Sequence, residues 1–148
     1  MARLVLTTPA SLPFATEIEV RVTDLNYGNH LGHDALVTLL HEARWRFLRA
    51  HGLSELDCGG ASLVVGDLAV VYRAECIAGD RLRIEVGVAD VARVGCDFVY
   101  RVTRLGDGRL AAEAKTGIVF LDPRSRRPVQ VPPAIAAIAA TGHPETQP

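Results

Sequence analysis

The densest group of chemically versatile side chains lies between residues 24 and 34, in the stretch Asp-Leu-Asn-Tyr-Gly-Asn-His-Leu-Gly-His-Asp. Carboxylates, imidazoles and amides alternate there with glycines, directly before a long helical pattern. The backbone N–H groups in the first turn of a helix have no partner within the helix and carry partial positive charge. Such groups can bind an anion, or an oxygen atom that becomes negative during a reaction. This stretch is therefore the candidate site for chemistry.

Several side chains in and beyond this stretch could move a proton or hold a reacting carbonyl group. Asn26 cannot accept a proton at neutral pH, but its amide can orient a water molecule or a carbonyl oxygen. The alternative bases are two carboxylates and two imidazoles, and imidazole titrates close to neutral pH. They are Asp34, Glu42, His30 and His33. Each side chain also has a structural interpretation, for example an Asx-turn at Asn26 or a first-turn acid at Asp34.

An alternating pattern precedes this stretch and an amphipathic helical pattern follows it. Residues 16–22 alternate between two sets of side chains, which predicts a half-buried strand that includes Val22. Residues 34–50 carry apolar side chains at helical spacing, and Gly52 suits the end of the helix. Glu42 and Arg46 lie four residues apart on its polar face, so they could form an ion pair there.

The rest of the chain reads mainly as β-structure. Four further strands are predicted at residues 63–72, 81–88, 96–103 and 110–121. The first of these is a nearly continuous apolar run, which predicts burial on both faces. Strands joined by short turns around one long helix predict an α+β fold with an antiparallel sheet. We also expect a short closing helix near residues 132–140 and a frayed tail at 141–148.

Composition narrows the class of protein. The length of 148 residues and 49% hydrophobic content suit a single domain over residues 1–148, with a core at about 15–138. A net charge of -1 argues against a nucleic-acid-binding protein. The three cysteines are isolated from one another, which argues against a zinc site and favours reduced thiols in the cytoplasm. No segment has the ~20 apolar residues of a membrane span.

The order of elements and the motif around the loop together resemble the hotdog fold. More narrowly, the chain is similar to the 4-hydroxybenzoyl-CoA thioesterase family of acyl-CoA thioesterases. In that family a strand runs into a loop of the form D-x-D-x-x-G-H-V-N-N, followed by a helix that ends near E-x-A-R. Asp24, His30, Ala43 and Arg44 fall on matching positions without a gap. The resemblance covers roughly residues 18–135.

The chain departs from the family pattern inside the loop. Asn26 stands at the position of the family's catalytic aspartate, and Asn29 replaces the family's glycine. Gly32 and His33 replace its two asparagines. By position, the resemblance implies that the backbone amide of His33 binds the oxyanion, and this role needs no particular side chain.

The resemblance implies an acyl-CoA thioesterase with about five antiparallel strands wrapped around a central helix. The catalytic candidates are then Asn26, His33, Asp34 and Glu42. The substrate-binding candidates are Asp24, Tyr27 and His30 in the loop, with Arg93 and Arg126 for the phosphates of CoA. Asp24 can instead brace the loop backbone. No separate cofactor is expected because CoA is part of the substrate, and we expect a homodimer or homotetramer because pairing covers an open sheet edge.

Two alternatives remain open from the sequence. The first is a hotdog enoyl-CoA hydratase, whose loop has the form D-x-N-P-x-H. Here Asp24 and Asn26 match that form, but Tyr27 replaces the proline and His30 comes one residue late. The second is a non-catalytic hotdog module that binds an acyl thioester or a protein partner, which the missing family aspartate favours.

Overall fold

The computed structural model describes residues 1–141 and folds them into one five-stranded sheet with two α-helices and a single 3₁₀ turn. The strands and helices are β1 (Phe14–Glu19), α1 (His33–Ala50), β2 (Ser62–Tyr72), β3 (Arg81–Ala89), β4 (Gly95–Arg104), β5 (Arg109–Leu121) and α2 (Pro133–Thr141). All neighbouring strands are antiparallel, in the order β1-β3-β4-β5-β2. The predicted α+β fold is confirmed. Thr141, the first residue of the predicted tail, is the last residue of α2, and residues 142–148 lie outside the described residues.

Helix α1 lies across one face of the sheet and supplies much of the core. Its buried face includes Leu40 and Phe47, and the Phe47 ring lies 5.5 Å from Phe14 on β1 and 5.8 Å from Phe98 on β4. The helix ends where Gly52 adopts a φ of 69°, as its glycine predicts. Neither α-helix within residues 1–141 combines the length and the apolarity that a membrane span requires.

Strand β1 ends at Glu19, so the prediction of a strand through Val22 was wrong. The carboxylate of Asp24 accepts a hydrogen bond from the backbone N–H of Arg21 at 2.8 Å, and residues Val22–Asp24 form a 3₁₀ turn. This side-chain contact turns the chain out of the sheet, and the Val22 side chain is 76% exposed. Val20 still reaches the core just after the strand ends.

Strand β2 is an edge strand, so the prediction that it is buried on both faces was also wrong. It pairs only with β5, and three of its large apolar side chains, Val65, Leu68 and Tyr72, are 45–50% exposed. A bulge interrupts the pairing between Val65 and Asp67. The apolar run therefore forms an edge strand, and within residues 1–141 no other strand pairs with its outer side.

The segment before β1 crosses the outer face of the sheet, which is the face opposite α1. The hydroxyl of Thr8 donates to Oε1 of the buried Glu113 at 2.7 Å, and the amide of Leu12 donates to Glu85 at 3.4 Å. Gly87 allows this crossing, because a Cβ there would lie 2.9 Å from Leu12 Cδ2. The packed structure therefore begins well upstream of the first strand.

Candidate active site

A cavity of about 370 Å³ opens where α1 begins. Polar groups from the predicted loop form one side of it, and the segment that follows β2 forms another. Its apolar lining comes from Leu31, Leu36, Val102 and Ala111. Of the sequence-predicted site residues, the structure brings Asn26, His30 and His33 together in this lining. The cavity thus combines groups that can act on a carbonyl with a surface that can hold an apolar chain.

The first turn of α1 carries no side-chain cap. Its N-cap residue is Gly32, which has no side chain to accept from the first amides, and its own N–H donates to the carbonyl of Asp24 at 3.0 Å. The carbonyl of His33 accepts a hydrogen bond from the Tyr72 hydroxyl at 2.8 Å. Burial, with the charge of Asp34 adding to it, raises the pKa of Tyr72, so this hydroxyl stays a donor. The amides of the first turn are therefore available to an acceptor.

Asp34 lies in that same first turn but does not line the cavity. Its carboxylate lies close to the N-cap residue. A Cβ placed on Gly32 would be only 2.6 Å from Asp34 Oδ1. A carboxylate in this position interacts favourably with the helix dipole. Its placement matches the first-turn acid of the sequence analysis, and its catalytic role stays a prediction.

Asn26 forms the Asx-turn that its sequence context allows. Its Oδ1 accepts the backbone N–H of Gly28 at 2.9 Å and that of His30 at 3.3 Å. These two donors identify the oxygen end of the amide, which leaves the Nδ2 hydrogens free to donate. Asn26 can therefore offer a donor to a carbonyl oxygen or a water molecule beside the cavity.

His30 lies beside a carboxylate that the sequence analysis did not select. Its Nε2 lies 3.2 Å from Oε2 of Glu75, and both residues line the cavity. The neighbouring backbones are joined as well, because the Leu31 N–H donates to the carbonyl of Cys76 at 2.8 Å. No spacing rule links residues 30 and 75, so only the fold reveals this pair.

Asp24 and Tyr27 stand apart from the cavity lining. The Asp24 side chain is buried and accepts hydrogen bonds from the backbone N–H, Nε and Nη2 of Arg21 at 2.8–3.1 Å. The side-chain hydrogen bond from Arg21 holds the pKa of Asp24 below its usual value. Tyr27 is fully exposed at the tip of the loop. Asp24 therefore braces the loop, as its alternative interpretation expects.

Glu42 lines a separate groove on the solvent side of α1, together with Thr38 and Trp45. It accepts a hydrogen bond from Arg46 Nε at 3.1 Å, so the predicted ion pair is present. Nine residues separate Glu42 from His33, which places it roughly 13 Å along the helix axis. The structure does not bring Glu42 to the cavity within one chain.

Arg93 and Arg126 lie at the opposite end of the sheet. The carbonyl of Arg93 accepts from the amide of Val131, and Arg126 occupies the turn after β5 with a φ of 62°. The cavity is beside the other end of β5, roughly 30 Å away at the rise of an extended strand. One chain therefore does not place these two cations beside the cavity.

Three other arginines, Arg73, Arg104 and Arg109, line a more open groove of about 680 Å³ that adjoins the cavity, and the sequence analysis did not select them. Arg73 donates to Glu113 Oε2 at 2.9 Å, and Arg104 donates to both carboxylate oxygens of Asp107 at 2.6 and 3.0 Å. The hydrogen bond from Arg104 holds the pKa of Asp107 down, at about 2. Carboxylates therefore hold two of these arginines in place, Arg73 in the cavity lining and Arg104 in the adjoining groove.

The three cysteines of the chain are buried, and one of them lies at the cavity. Cys76 lines the cavity but is buried, and burial raises the pKa of its thiol. Burial likewise raises the pKa of Cys58 to about 11 and that of Cys96 to about 12. These thiols therefore stay protonated at neutral pH and are poor nucleophiles. Within the described residues, no group of three histidine, cysteine or acidic side chains is arranged to hold a metal ion.

Comparison with known proteins places the chain among thioesterases. A sequence profile of the thioesterase-like superfamily matches residues 20–138. The acyl-CoA thioester hydrolase YbgC of Escherichia coli O6:H1 is 26% identical over 126 residues, which covers 84% of this chain and 93% of YbgC. Slr0204, a 1,4-dihydroxy-2-naphthoyl-CoA thioesterase from Synechocystis, has a similar fold, with a TM-score of 0.77 and 19% identity over 91% of this chain and 98% of Slr0204. So does SAV2348 from Staphylococcus aureus, solved in complex with CoA, with a TM-score of 0.78 and 19% identity over 96% and 94% of the two chains. These likenesses confirm the predicted hotdog fold.

Proposed function

Because the chain belongs to the thioesterase-like superfamily, we propose that it is an acyl-CoA thioesterase, which hydrolyses the thioester bond of an acyl-CoA. The observation that carries this proposal is the cavity at the start of α1. It combines uncapped helix amides, the Asn26 amide and two imidazoles with an apolar lining. Thioester hydrolysis needs a polarised carbonyl, an activated water molecule and a surface for the acyl chain, and this cavity has groups for each.

The amides at the start of α1 polarise the thioester carbonyl in our proposal. The amide of His33 comes first in the helix, and the N-cap glycine supplies no competing acceptor. Donors fixed in advance stabilise the oxyanion of the tetrahedral intermediate, and loss of one such donor typically costs about 3 kcal/mol of barrier. The hydrogen bond from Tyr72 to the carbonyl of His33 holds this first turn against the end of β2.

The water molecule is activated by an imidazole in our proposal, because Asn26 cannot act as a base. His30 has the best position among the predicted bases, since it lines the cavity and has a carboxylate partner. A water O–H gives its proton to His30, and the water oxygen attacks the carbonyl carbon. The intermediate then collapses, the C–S bond breaks, and the thiolate takes the proton back from the imidazolium. Asn26 Nδ2 holds the water or the carbonyl oxygen.

We propose that the active form is a homo-oligomer built by pairing β2 with the β2 of a second copy. Strand β2 is an edge of eleven residues, and its apolar side chains Val65, Leu68 and Tyr72 are 45–50% exposed, so it is a site for strand pairing. Two-fold antiparallel pairing places the Ser62 end of one β2 beside the Tyr72 end of the other. Arg93 and Arg126, which lie at the Ser62 end, would then approach the partner's cavity and could bind the phosphates of CoA.

The test of the activity is a panel of short, long and aromatic acyl-CoAs assayed for free thiol. We expect thiol release, and we expect His30→Ala to reduce kcat about 100-fold or more, the usual size of a general base contribution. Asp34→Asn and Glu42→Gln, assayed beside it, test the two carboxylates as rival bases. Asn26→Asp restores the family's acid and shows whether the aspartate route still works here. Absence of thiol release from every acyl-CoA would refute the proposal.

The test of the assembly is the molar mass in solution. Leu68→Lys places a charge on the β2 edge and is expected to shift the oligomer toward monomer, as measured by light scattering. Val91→Lys is the control, because Val91 is similarly exposed but lies in the turn after β3. If Leu68→Lys leaves the mass unchanged, the β2 edge is not the interface. A rise in KM for Arg126→Gln, with kcat unchanged, would support phosphate binding by the partner's arginine.

A further inference from the structure

Among the described residues, Glu75 is the only acidic residue that lines the cavity. Its Oε2 lies 3.2 Å from His30 Nε2. Neither side chain is buried, with 40% of His30 and 77% of Glu75 exposed, so the pair must be held by its backbones rather than by enclosure. Whether it does chemical work depends on how firmly these two segments are fixed.

Both backbones at this pair are fixed by hydrogen bonds on either side. The Leu31 N–H donates to the carbonyl of Cys76 at 2.8 Å, which ties the residue after His30 to the residue after Glu75. The carbonyl of Glu75 accepts a hydrogen bond from Arg104 Nη1, and Asp107 holds that arginine through two further bonds. The segment that carries Glu75 is therefore clamped to the loop and to the β4–β5 turn.

The pair determines which nitrogen of the imidazole can act as a base. In the neutral ring one nitrogen carries the proton and the other carries the lone pair. A carboxylate oxygen 3.2 Å from Nε2 favours the Nε2–H tautomer, because it would repel a lone pair on that nitrogen, and the lone pair is then on Nδ1. Within residues 1–141, Nδ1 has no hydrogen-bonding partner.

His30 Nδ1 and the side-chain oxygen of Asn26 both lie close to Gly28. A Cβ placed on Gly28 would lie 3.3 Å from Asn26 Oδ1 and 3.6 Å from His30 Nδ1. Gly28 has no side chain, so the approach to both groups stays open. A water molecule beside Gly28 could contact the amide and the imidazole together.

We propose that Glu75 is a positioning residue, which fixes His30 as the Nε2–H tautomer and so makes Nδ1 the base of the hydrolysis. This inference rests on the proposed thioesterase function. The water proton moves to Nδ1, the water oxygen bonds to the carbonyl carbon, and the C–S bond breaks as the thiolate regains the proton.

The experiment compares Glu75→Ala and Glu75→Gln with the wild type in two measurements. Long-range ¹H–¹⁵N correlation spectra at a pH where the imidazole is neutral report the tautomer, and the His30 signals are assigned by their loss in His30→Gln. We expect the Nε2–H form in the wild type and in Glu75→Gln, which keeps an acceptor oxygen, and a mixture in Glu75→Ala. We expect kcat to fall about 10- to 100-fold in Glu75→Ala, with KM changed by less than about threefold.

The control is Glu17→Ala, which removes the carboxylate of another exposed ion pair, that with Arg81 on β3. It is expected to leave the tautomer and kcat unchanged. An unchanged tautomer in Glu75→Ala, or a loss confined to KM, overturns the proposal. So does an equal loss of kcat in Glu75→Gln with the tautomer retained, since charge alone would then matter. If the wild type cleaves no acyl-CoA, the proposed function fails, while the spectra still decide whether Glu75 orients His30.

Discussion

Replacement of Arg44 by alanine is expected to destabilise the fold more than loss of any exposed ion pair. Arg44 projects from α1 into the core and is only 6% exposed. Its Nε donates to Glu55 Oε1 at 2.8 Å, and its Nη1 lies 3.4 Å from the Tyr100 hydroxyl, which in turn contacts Thr116 Oγ1 at 2.9 Å. One guanidinium thus joins the helix, the loop after it and the inner face of the sheet.

The magnitude follows from what the substitution leaves behind. Burial raises the pKa of Glu55, but the hydrogen bond and charge of Arg44, with a contribution from His41, outweigh it and hold the pKa below its usual value. Removal of one partner of a buried pair typically costs about 3–5 kcal/mol. The Glu55 side chain is 26% exposed, so water offsets part of the loss and about 3 kcal/mol is expected. That corresponds to a fall of about 6–12 °C in Tm for a chain of this size.

Urea unfolding at neutral pH measures the effect, and Arg81→Ala is the matched control. The Arg81–Glu17 contact is shorter, at 2.6 Å, but both side chains are half exposed or more. Such pairs contribute about 0–1 kcal/mol, so burial and not distance should decide the ranking. A double-mutant cycle of Arg44→Met with Glu55→Gln is expected to give a coupling of about 1–3 kcal/mol. A loss at Arg44 no larger than that at Arg81 would refute the reasoning.

Two further changes test other parts of the fold. The hydrogen bond from Arg21 lowers the pKa of Asp24 from its ordinary 3.8, so this carboxylate stabilises the fold above about pH 4 and the effect is lost as the pH falls through the lowered value. Urea midpoints between pH 6 and 3 should therefore fall less steeply in Asp24→Asn than in the wild type, and parallel slopes would contradict this. A Cβ at Gly95 would clash with the carbonyl oxygen of Ile118, whereas one at Gly106 meets nothing within 4 Å. Thermal unfolding should show that Gly95→Ala costs about 1–3 kcal/mol and Gly106→Ala much less, and equal losses would contradict the assigned clash.

Periodicity predicted the helix and the three later strands because each follows one regular pattern through to a turn. The edge position of β2 could not be predicted. An apolar run indicates that its side chains become buried, but it does not show whether the same chain or a second copy buries them. The end of β1 depends on one side-chain contact, from Asp24 to the backbone of Arg21, and this contact overrides the alternation of residues 16–22.

The residues of the candidate site also fall into two groups, those that could be predicted from the sequence and those that could not. Asn26, His30 and His33 are close in sequence and reach the cavity together, because a short loop and a helix start cannot separate them far. Tyr72 and Glu75 are distant in sequence and are brought to the cavity by tertiary contacts. Strand β2 pairs with β5, and the segment after β2 is hydrogen-bonded to the loop through Leu31 and Cys76. Such contacts cannot be predicted from the spacing of residues along the sequence.

The segment before β1 packs across the sheet, and this determines how far the chain can be shortened from its N-terminal side. The superfamily match starts at residue 20, yet the carboxylates of Glu85 and Glu113 receive donors from Leu12 and Thr8. A fragment trimmed to the matched region would lose β1 and would uncover the carboxylates of Glu85 and Glu113. The folded unit therefore includes residues before the matched region, and shortened versions should start upstream of Thr8.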